Sequence, residues 1–358
     1  MRVGLVIYGN LNTLSGGYLY DRRLVEHLRA HGDTVHIVSL PWRNYGRHLL
    51  DNFSRDLRRA LATAPVDIWL EDELNHPSLA FLPRRKNRGG VPIVSIVHHL
   101  RSDETRPRWQ NVLYRAVERA YLRRADAFIF NSRTTRDSVA RVLGGTPRGI
   151  VAYPGRDRLP ADISAPDIAR RVRQSPPLRL LFVGNIISRK RVHILLNALA
   201  ALPADCAALK LVGRTDADPR YFRQMQSLAT QLRLTDRVQF LGRLPDAELT
   251  PLLCDSHLLA VPSGYEGFGI VYLEAMGFGV PVIAGMRGGA REIVTPGENG
   301  FLADDVRSVA AILRDLCENR QKLAQMSLAA QARQRQFPAW DDSMAHIRAF
   351  LLELTEVR

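Results

Sequence analysis

Residues 262–284 read PSGYEGFGIVYLEAMGFGVPVIA. A short apolar run, Leu258–Val261, precedes this stretch, and a second, Pro281–Ala284, closes it. Both have the length and bounds of buried strands. Between them, Gly267 and Gly269 let the backbone approach a ligand closely, and the pattern predicts a helix from near Ile270. The first N–H groups of such a helix have no intrahelical partner and form a site for an anion. Glu266 lies in the loop before the helix, and Glu274 about one turn inside it. A carboxylate can accept two hydrogen bonds from a vicinal diol. The segment can therefore hold a phosphate on its backbone and sugar hydroxyls on two carboxylates. On spacing alone, a glycine-rich turn with two solvated glutamates reads equally well.

The same alternation of strand and helix extends in both directions. Arg179–Val183, Ala208–Val212 and Val238–Gly242 read as further strands of the second half. In the first half Val3–Tyr8, Thr34–Leu40, Asp67–Leu70, Pro92–His98 and Ala127–Asn131 read as strands. Helical patterns lie between them, notably over Tyr18–His31 and Arg108–Arg124. Strands alternating with helices predict an α/β fold with parallel sheets covered on both faces. The expected division is a first Rossmann-like, doubly wound domain over 1–160 and a second over 178–340. Arg156–Pro177 is rich in proline and charge, and 161–177 is expected to be a linker. After the break at Pro338-Ala339-Trp340, a last helix over Asp341–Leu354 is expected, in a segment 341–358 that crosses back to the first domain. Ligands of such sheets bind at the C-terminal ends of the strands.

Four shorter motifs fall at those ends. In Leu181–Arg191 (LFVGNIISRKR) a strand ends at Val183 and a helix follows from about Val192. Arg189, Lys190 and Arg191 stand between them, where they would help a helix N-terminus neutralise a diphosphate. Ser15-Gly16-Gly17 follows the first strand and could cradle a phosphate, or be a plain strand–helix turn. It is not a dinucleotide fingerprint. His98-His99 ends a strand. One of the two would point into a crevice, but adjacent strand residues face opposite ways, so the two make a poor metal pair. Glu71-Asp72-Glu73 could bind acceptor hydroxyls or simply open a helix.

The chain has 358 residues and a net charge of +14. Residues 1–175 hold 29 Lys+Arg against 17 Asp+Glu, and the remainder 21 against 19. The excess therefore sits in the first half, which points to an anionic partner: nucleic acid, a membrane surface or a phosphorylated substrate. No recognisable nucleic-acid module accompanies it, so none is expected to bind. Cys206, Cys254 and Cys317 are scattered and odd in number, which excludes a disulfide framework and a cysteine metal cluster. No run of ~18 apolar residues exists to span a bilayer. A reducing, cytoplasmic setting is expected, with attachment to the inner membrane face left open.

Taken together, these segments resemble the family 4 retaining glycosyltransferases of the GT-B fold, over nearly the whole chain. Glu266 and Glu274 match the family's E-x7-E element. LLFVGNIISRKRVHILLNAL looks like its diphosphate-binding segment, and LKLVGR, VQFLGRLPDAEL and GGAREIVTPGENGFL follow in the family's order. The first half adds SGGYLYDRRLVEHLRAHGDTVHIVS, IVSIVHHL and ADAFIFNSRTTRDSV. The resemblance implies two domains facing a central cleft. It implies transfer of a hexose from a UDP or GDP sugar to a hydroxyl acceptor with retention, and no metal or other cofactor. The acceptor could be lipid-linked or a glycan precursor. By the same resemblance Lys190 meets the diphosphate, Glu274 the ribose and Glu266 the transferred sugar. Phe268, Gly269, Ile270 and Val271 supply backbone at the donor, Gly16 and Gly17 a first-domain loop, His98 a cleft histidine, and Arg243 and Leu244 backbone near the base. Catalytic roles fall to Glu266, His98 and Lys190. The family usually has arginine where this chain has Asn185, and Arg189 or Arg191 is expected to replace that charge. It often has aspartate where His99 stands, which leaves the orientation of His98 open.

Two rival readings are a nucleotide-sugar epimerase or hydrolase on the same fold and a non-catalytic nucleotide-sugar-binding protein. One further feature bears on the acceptor. Over Arg106–Arg124, Trp109, Val112, Leu113, Ala116, Val117, Ala120 and Tyr121 recur at helical spacing among arginines, with the basic loop Arg84–Arg88 nearby. This is either a core-facing helix with a solvated basic side or an amphipathic helix for an anionic bilayer.

Overall fold

The computed structural model describes residues 1–83, 90–174 and 177–356; the basic loop Arg84–Arg88 lies outside them. The chain forms two compact units, one of 1–155 with 338–358 and one of 156–337. Each carries its own parallel sheet.

In unit 1 the strands are β1 (Arg2–Tyr8), β2 (Thr34–Leu40), β3 (Ile68–Asp72), β4 (Ile93–Val97), β5 (Ala127–Phe130) and β6 (Gly149–Val151). Their order is β2-β1-β3-β4-β5-β6. The helices are α1 (Gly16–Ala30), α2 (Tyr45–Asp51), α3 (Arg55–Thr63), α4 (His76–Leu79), α5 (Arg108–Leu122) and α6 (Arg133–Leu143). Strands β3, β4 and β5 are buried throughout, as expected where helices cover both faces. Trp69, Val97, Phe128 and Phe130 anchor one core layer.

Unit 2 opens with α7 (Ala165–Arg173). Its strands are β7 (Leu178–Val183), β8 (Ala207–Val212), β9 (Val238–Gly242), β10 (Leu258–Val261), β11 (Val282–Ala284) and β12 (Gly300–Leu302). Their order is β12-β11-β10-β7-β8-β9. Helices α8 (Val192–Ala200), α9 (Pro219–Gln231), α10 (Asp246–Asp255), α11 (Ile270–Gly277), α12 (Ala290–Ile293), α13 (Val306–Glu318) and α14 (Arg320–Gln334) complete it. Both orders are those of doubly wound folds that bind ligands where the strand order reverses. That point lies between β1 and β3 in unit 1, and between β7 and β10 in unit 2.

One expectation about the fold needs correction. The segment 161–177 contains α7 and belongs to unit 2. Ser164 caps this helix by accepting from the Asp167 N–H, a serine–aspartate spacing that is visible in the sequence. Ile168 and Val172 are wholly buried. Burial of each aliphatic side chain contributes roughly 1.5–3 kcal/mol, so the helix docks rather than tethers. Arg171 donates to the carbonyls of Phe278 and Gly279 at the end of α11. Cys206 and Cys317, distant in sequence, are adjacent in space, with the Cys317 thiol donating to the Cys206 carbonyl; both are free.

The final helix, α15 (Trp340–Glu356), packs on α1 of unit 1. Asp341 meets His27 at 2.7 Å, Arg348 meets Asp33 at 2.6 Å, and Trp340 packs edge-on to Tyr20.

Candidate functional site

In unit 2 the loops after β7 and β10 are stitched together by backbone. The Gly264 N–H donates to the Arg189 carbonyl at 2.8 Å, and the Arg189 guanidinium donates to the Tyr265 carbonyl at 2.6 Å. This joins residues far apart in sequence. Lys190 Nζ lies 2.5 Å from Glu266 Oε1, and Arg189 Nη1 lies 3.4 Å from the same oxygen. Burial by itself would raise the Glu266 pKa, but Lys190 and Arg189 outweigh it and hold the carboxyl at about 2. Burial, with Arg189 alongside, lowers the Lys190 pKa, and Glu266 offsets part of that fall.

The loop after β11 fixes the Glu266 backbone. The Gly289 N–H donates to the Glu266 carbonyl at 2.8 Å. Gly288 has a φ of 94°, and a Cβ there would stand 1.9 Å from the same carbonyl oxygen. Only glycine permits that approach. Gly288 and Gly289 open the segment GGAREIVTPGENGFL, and spacing alone assigns them no purpose.

Two helices begin beside the pair. Neither α8, preceded by Arg191, nor α11, preceded by Gly269 with a φ of 103°, has a side-chain cap. By contrast α9, α13 and α14 are capped by Asp218, Asp305 and Asn319. At α8 the His193 N–H donates to the Tyr221 hydroxyl at 3.3 Å, whereas α11 begins without a side-chain cap, and Lys190 and Arg189 add positive charge at this end. This arrangement suits an anion of more than one charge.

The other expected donor residues take varied positions. Phe268 is buried edge-on to Phe337, so only its backbone can serve a ligand. Ile270 and Val271 are half-buried in the first turn of α11. Glu274 is buried and takes a hydrogen bond from Arg158 Nε; Arg158 also reaches Asp246 at 2.7 Å. Arg158 was not anticipated, because the proline-rich segment around it carried no periodicity to place it. Arg243 is exposed and Leu244 half-buried after β9. Their loop is tied inward where the Gly213 N–H donates to the Gly242 carbonyl. Of the two arginines considered for the charge missing at Asn185, Arg189 sits with Lys190 on Glu266. Arg191 turns away to Asp304, 3.6 Å distant.

In unit 1, Gly16 and Gly17 form the first turn of α1 rather than a loop before it, because Ser15 caps that helix on the Tyr18 N–H. A Cβ on Gly17 would lie 3.0 Å from the His98 ring, so this glycine makes room for the histidine. His98 Nε2 meets Asp21 Oδ1 at 3.3 Å, and Tyr20 packs edge-on to the ring. Asn131 donates to the His98 carbonyl at 2.9 Å. His98 is thus oriented without an aspartate after it; His99 turns instead to Glu104 at 3.1 Å. Burial would lower the His98 pKa, but the hydrogen bond and charge of Asp21, with Asp72 and Glu73, raise it overall. Asp21 is wholly buried one turn into α1, and sequence reasoning missed it. A buried aspartate within an amphipathic helix was the signal available.

Glu71 and Asp72 lie within β3, not after it, and are buried. Glu71 stands 3.6 Å from Arg124, and Asp72 accepts from the Leu74 N–H. Neither is presented as an open acceptor site.

Two family models match the chain: "Glycosyl transferase 4-like domain" over residues 13–156 and "Glycosyl transferases group 1" over residues 166–333. The chain belongs to the family 4 glycosyltransferases of the GT-B fold. It is 30% identical to a D-inositol 3-phosphate glycosyltransferase of Streptomyces scabiei, over 72% of this chain and 62% of the relative. It is 32% identical to a GDP-mannose-dependent alpha-(1-6)-phosphatidylinositol monomannoside mannosyltransferase of Mycolicibacterium smegmatis, over 60% of this chain and 59% of the relative. The matches thus span about 60% of these relatives' length. The fold is similar to that of sucrose-phosphate synthase from Thermosynechococcus elongatus, with a TM-score of 0.84, 20% identity and all of both chains covered. It is also similar to that of Anabaena HepE in complex with UDP-glucose, with a TM-score of 0.79, 22% identity, 99% of this chain and 100% of that one.

Proposed function

We propose that this protein transfers a hexose from a UDP or GDP sugar to a hydroxyl acceptor, with retention of the anomeric configuration. The observation that carries this reading is the cluster of Lys190, Arg189 and Glu266 beside the start of α8 and the uncapped start of α11. A leaving nucleoside diphosphate develops negative charge, and preorganised cations and amides stabilise it. That work needs no metal. Glu274, positioned by Arg158, keeps acceptor capacity for ribose hydroxyls, and Glu266 faces the transferred sugar. In unit 1, His98, held by Asp21, is the residue proposed for a catalytic role. The named activities of the inositol phosphate glycosyltransferase and the mannosyltransferase, and the UDP-glucose held by HepE, support a nucleotide-sugar donor.

A lipid-bearing or anionic acceptor is the finer reading, with the protein working in the cytoplasm at a membrane face. It is favoured by α5, where Trp109, Val112 and Leu113 are 64%, 67% and 57% exposed beside exposed Arg108, Arg115 and Arg119. No helix among the described residues is long and apolar enough to cross a membrane.

The test is a thermal-shift screen with UDP, GDP and ADP, followed by labelled UDP and GDP sugars with soluble and lipid-linked acceptors. Stabilisation by one nucleotide, followed by transfer with retained configuration, is the expected result. Release of free sugar alone would favour a hydrolase, and interconversion of the sugar nucleotide an epimerase. Binding without turnover under any acceptor would favour a non-catalytic role.

A further inference from the structure

Past the end of β3, three chemistry-bearing side chains meet in the interior of unit 1. Glu73 follows β3 directly, His76 opens α4, and Glu118 lies on α5. One donor atom of each falls within 4.8 Å of the other two. All three residues are buried, at 4%, 2% and 0% exposure.

His99, His98 and Arg101 offset part of the Glu73 charge without a direct ion pair. Among the described residues neither carboxylate is ion-paired to a lysine or arginine. Arg101, the nearby guanidinium, lies instead over the rings of Tyr45 and Tyr114, at 5.2 and 4.8 Å. Glu118 Oε1 accepts from the Ser102 N–H at 3.1 Å, but Glu118 Oε2 and Glu73 Oε1 have no hydrogen-bond partner. An uncompensated buried carboxylate is costly. Two of them beside a histidine call for either protons or a cation.

The geometry points to a cation. We propose that Glu73, His76 and Glu118 bind one divalent transition-metal ion, with zinc as the best fit. His76 Nδ1 lies 3.1 Å from Glu73 Oε1, close to the ~3.3 Å edge of a tetrahedron with bonds of about 2.0–2.1 Å. The other ring nitrogen, Nε2, lies 3.0 Å from the Tyr45 hydroxyl. That oxygen can accept an Nε2–H and leave the Nδ1 lone pair for the metal, as the outer partners of metal-bound histidines do. The Nδ1 contact to the Glu73 carbonyl at 3.0 Å is the alternative: a protonated Nδ1 donates there. Two carboxylates and a neutral imidazole cancel the charge of a divalent ion, and mixed nitrogen and oxygen ligands suit zinc or manganese better than magnesium. Three protein ligands leave the fourth position of zinc to a water, and burial in the interior of unit 1 makes the role of the site structural. It ties α5, and the exposed face that α5 carries, to α4 and the end of β3.

The test uses the full chain without a polyhistidine tag, unfolded and refolded either with a chelator or with zinc. Elemental analysis of the zinc-refolded protein is expected to find about one zinc per chain. The chelator-refolded protein is expected to melt roughly 4 °C or more lower, and zinc, but not magnesium, to restore it. Glu118→Gln, which keeps the shape and removes the charge, is expected to lose the metal and become insensitive to the chelator. Absence of bound metal together with a zinc-independent Tm in the wild type would overturn the proposal. So would a metal-free Glu73→Gln or Glu118→Gln protein that melts higher than the wild type, because the pocket would then be held by protons.

Discussion

Lys190 and Glu266 show how single residues are set by their loops. Replacing Lys190 with alanine removes a charge-assisted bond worth about 1.5–3 kcal/mol, so nucleoside-diphosphate affinity should fall about 10- to 100-fold. Calorimetry with the nucleotide that stabilises the wild type checks this. Glu266→Gln should lower kcat by about 100-fold or more while far-UV circular dichroism stays unchanged. The same residue sets a pH dependence. Its folded pKa of about 2 lies below the ordinary value of 4.5, so its contribution is complete above about pH 4.5 and disappears as pH falls toward 2. Acid unfolding should therefore separate wild type from Glu266→Gln less at pH 2 than at pH 6. His98 runs the other way. Its pKa is raised, so its contribution is complete below the ordinary value near 6.5 and is lost as pH rises through the raised one. Asp21→Asn should lower the His98 pKa, as followed by its ring protons in NMR; an unmoved titration would remove Asp21 as its positioning residue. The sequence made Lys190 and Glu266 legible, because each sits at a recognisable spacing from a strand end. Asp21 and Arg158 were not legible. Their partners, His98 and Glu274, lie 77 and 116 positions away, and no local pattern encodes such a meeting.

Among the elements, α5 bears on a question the sequence left open. Its apolar residues divide between two faces. Val117, Ala120, Tyr121 and Leu122 pack into the core, whereas Trp109, Val112 and Leu113 face solvent. Neither of the two readings of its periodicity holds alone, since one side is core-facing and the other is an exposed apolar stripe with arginines. Amphipathic surfaces of this kind bind anionic bilayers through apolar area and charge together. Trp109→Glu combined with Leu113→Glu should abolish flotation with phosphatidylglycerol vesicles while leaving the Tm within a few degrees, because both side chains are exposed. Flotation of the double variant at wild-type levels would remove α5 from the membrane reading. Helix α7 teaches the complementary lesson. Proline and charge disguised it as a linker, although Ser164 and Asp167 already marked its start. Composition masks the capping signal there, and the burial of Ile168 and Val172 marks a docked helix.

For the whole molecule, the uneven charge acquires a location. The excess of 29 basic over 17 acidic residues in 1–175 falls mostly on unit 1, while the cluster proposed to meet a diphosphate lies in unit 2. A nucleoside diphosphate should accordingly slow amide hydrogen exchange in the loops after β7 and β10. Salt should weaken vesicle binding without weakening nucleotide binding to the same degree. The alternation of strand and helix determined the α/β class, the two sheets and the strand ends where Lys190, Glu266 and His98 stand, because burial and backbone pairing leave a local periodic signature. Tertiary structure alone decided the strand orders and the partners of the charged groups: Arg189 rather than Arg191 on Glu266, Arg158 on Glu274, Asp21 on His98. The reason is physical. A side chain's propensity is read over a few residues, but electrostatic pairing depends on distance in space, and the fold brings together positions that the sequence keeps far apart.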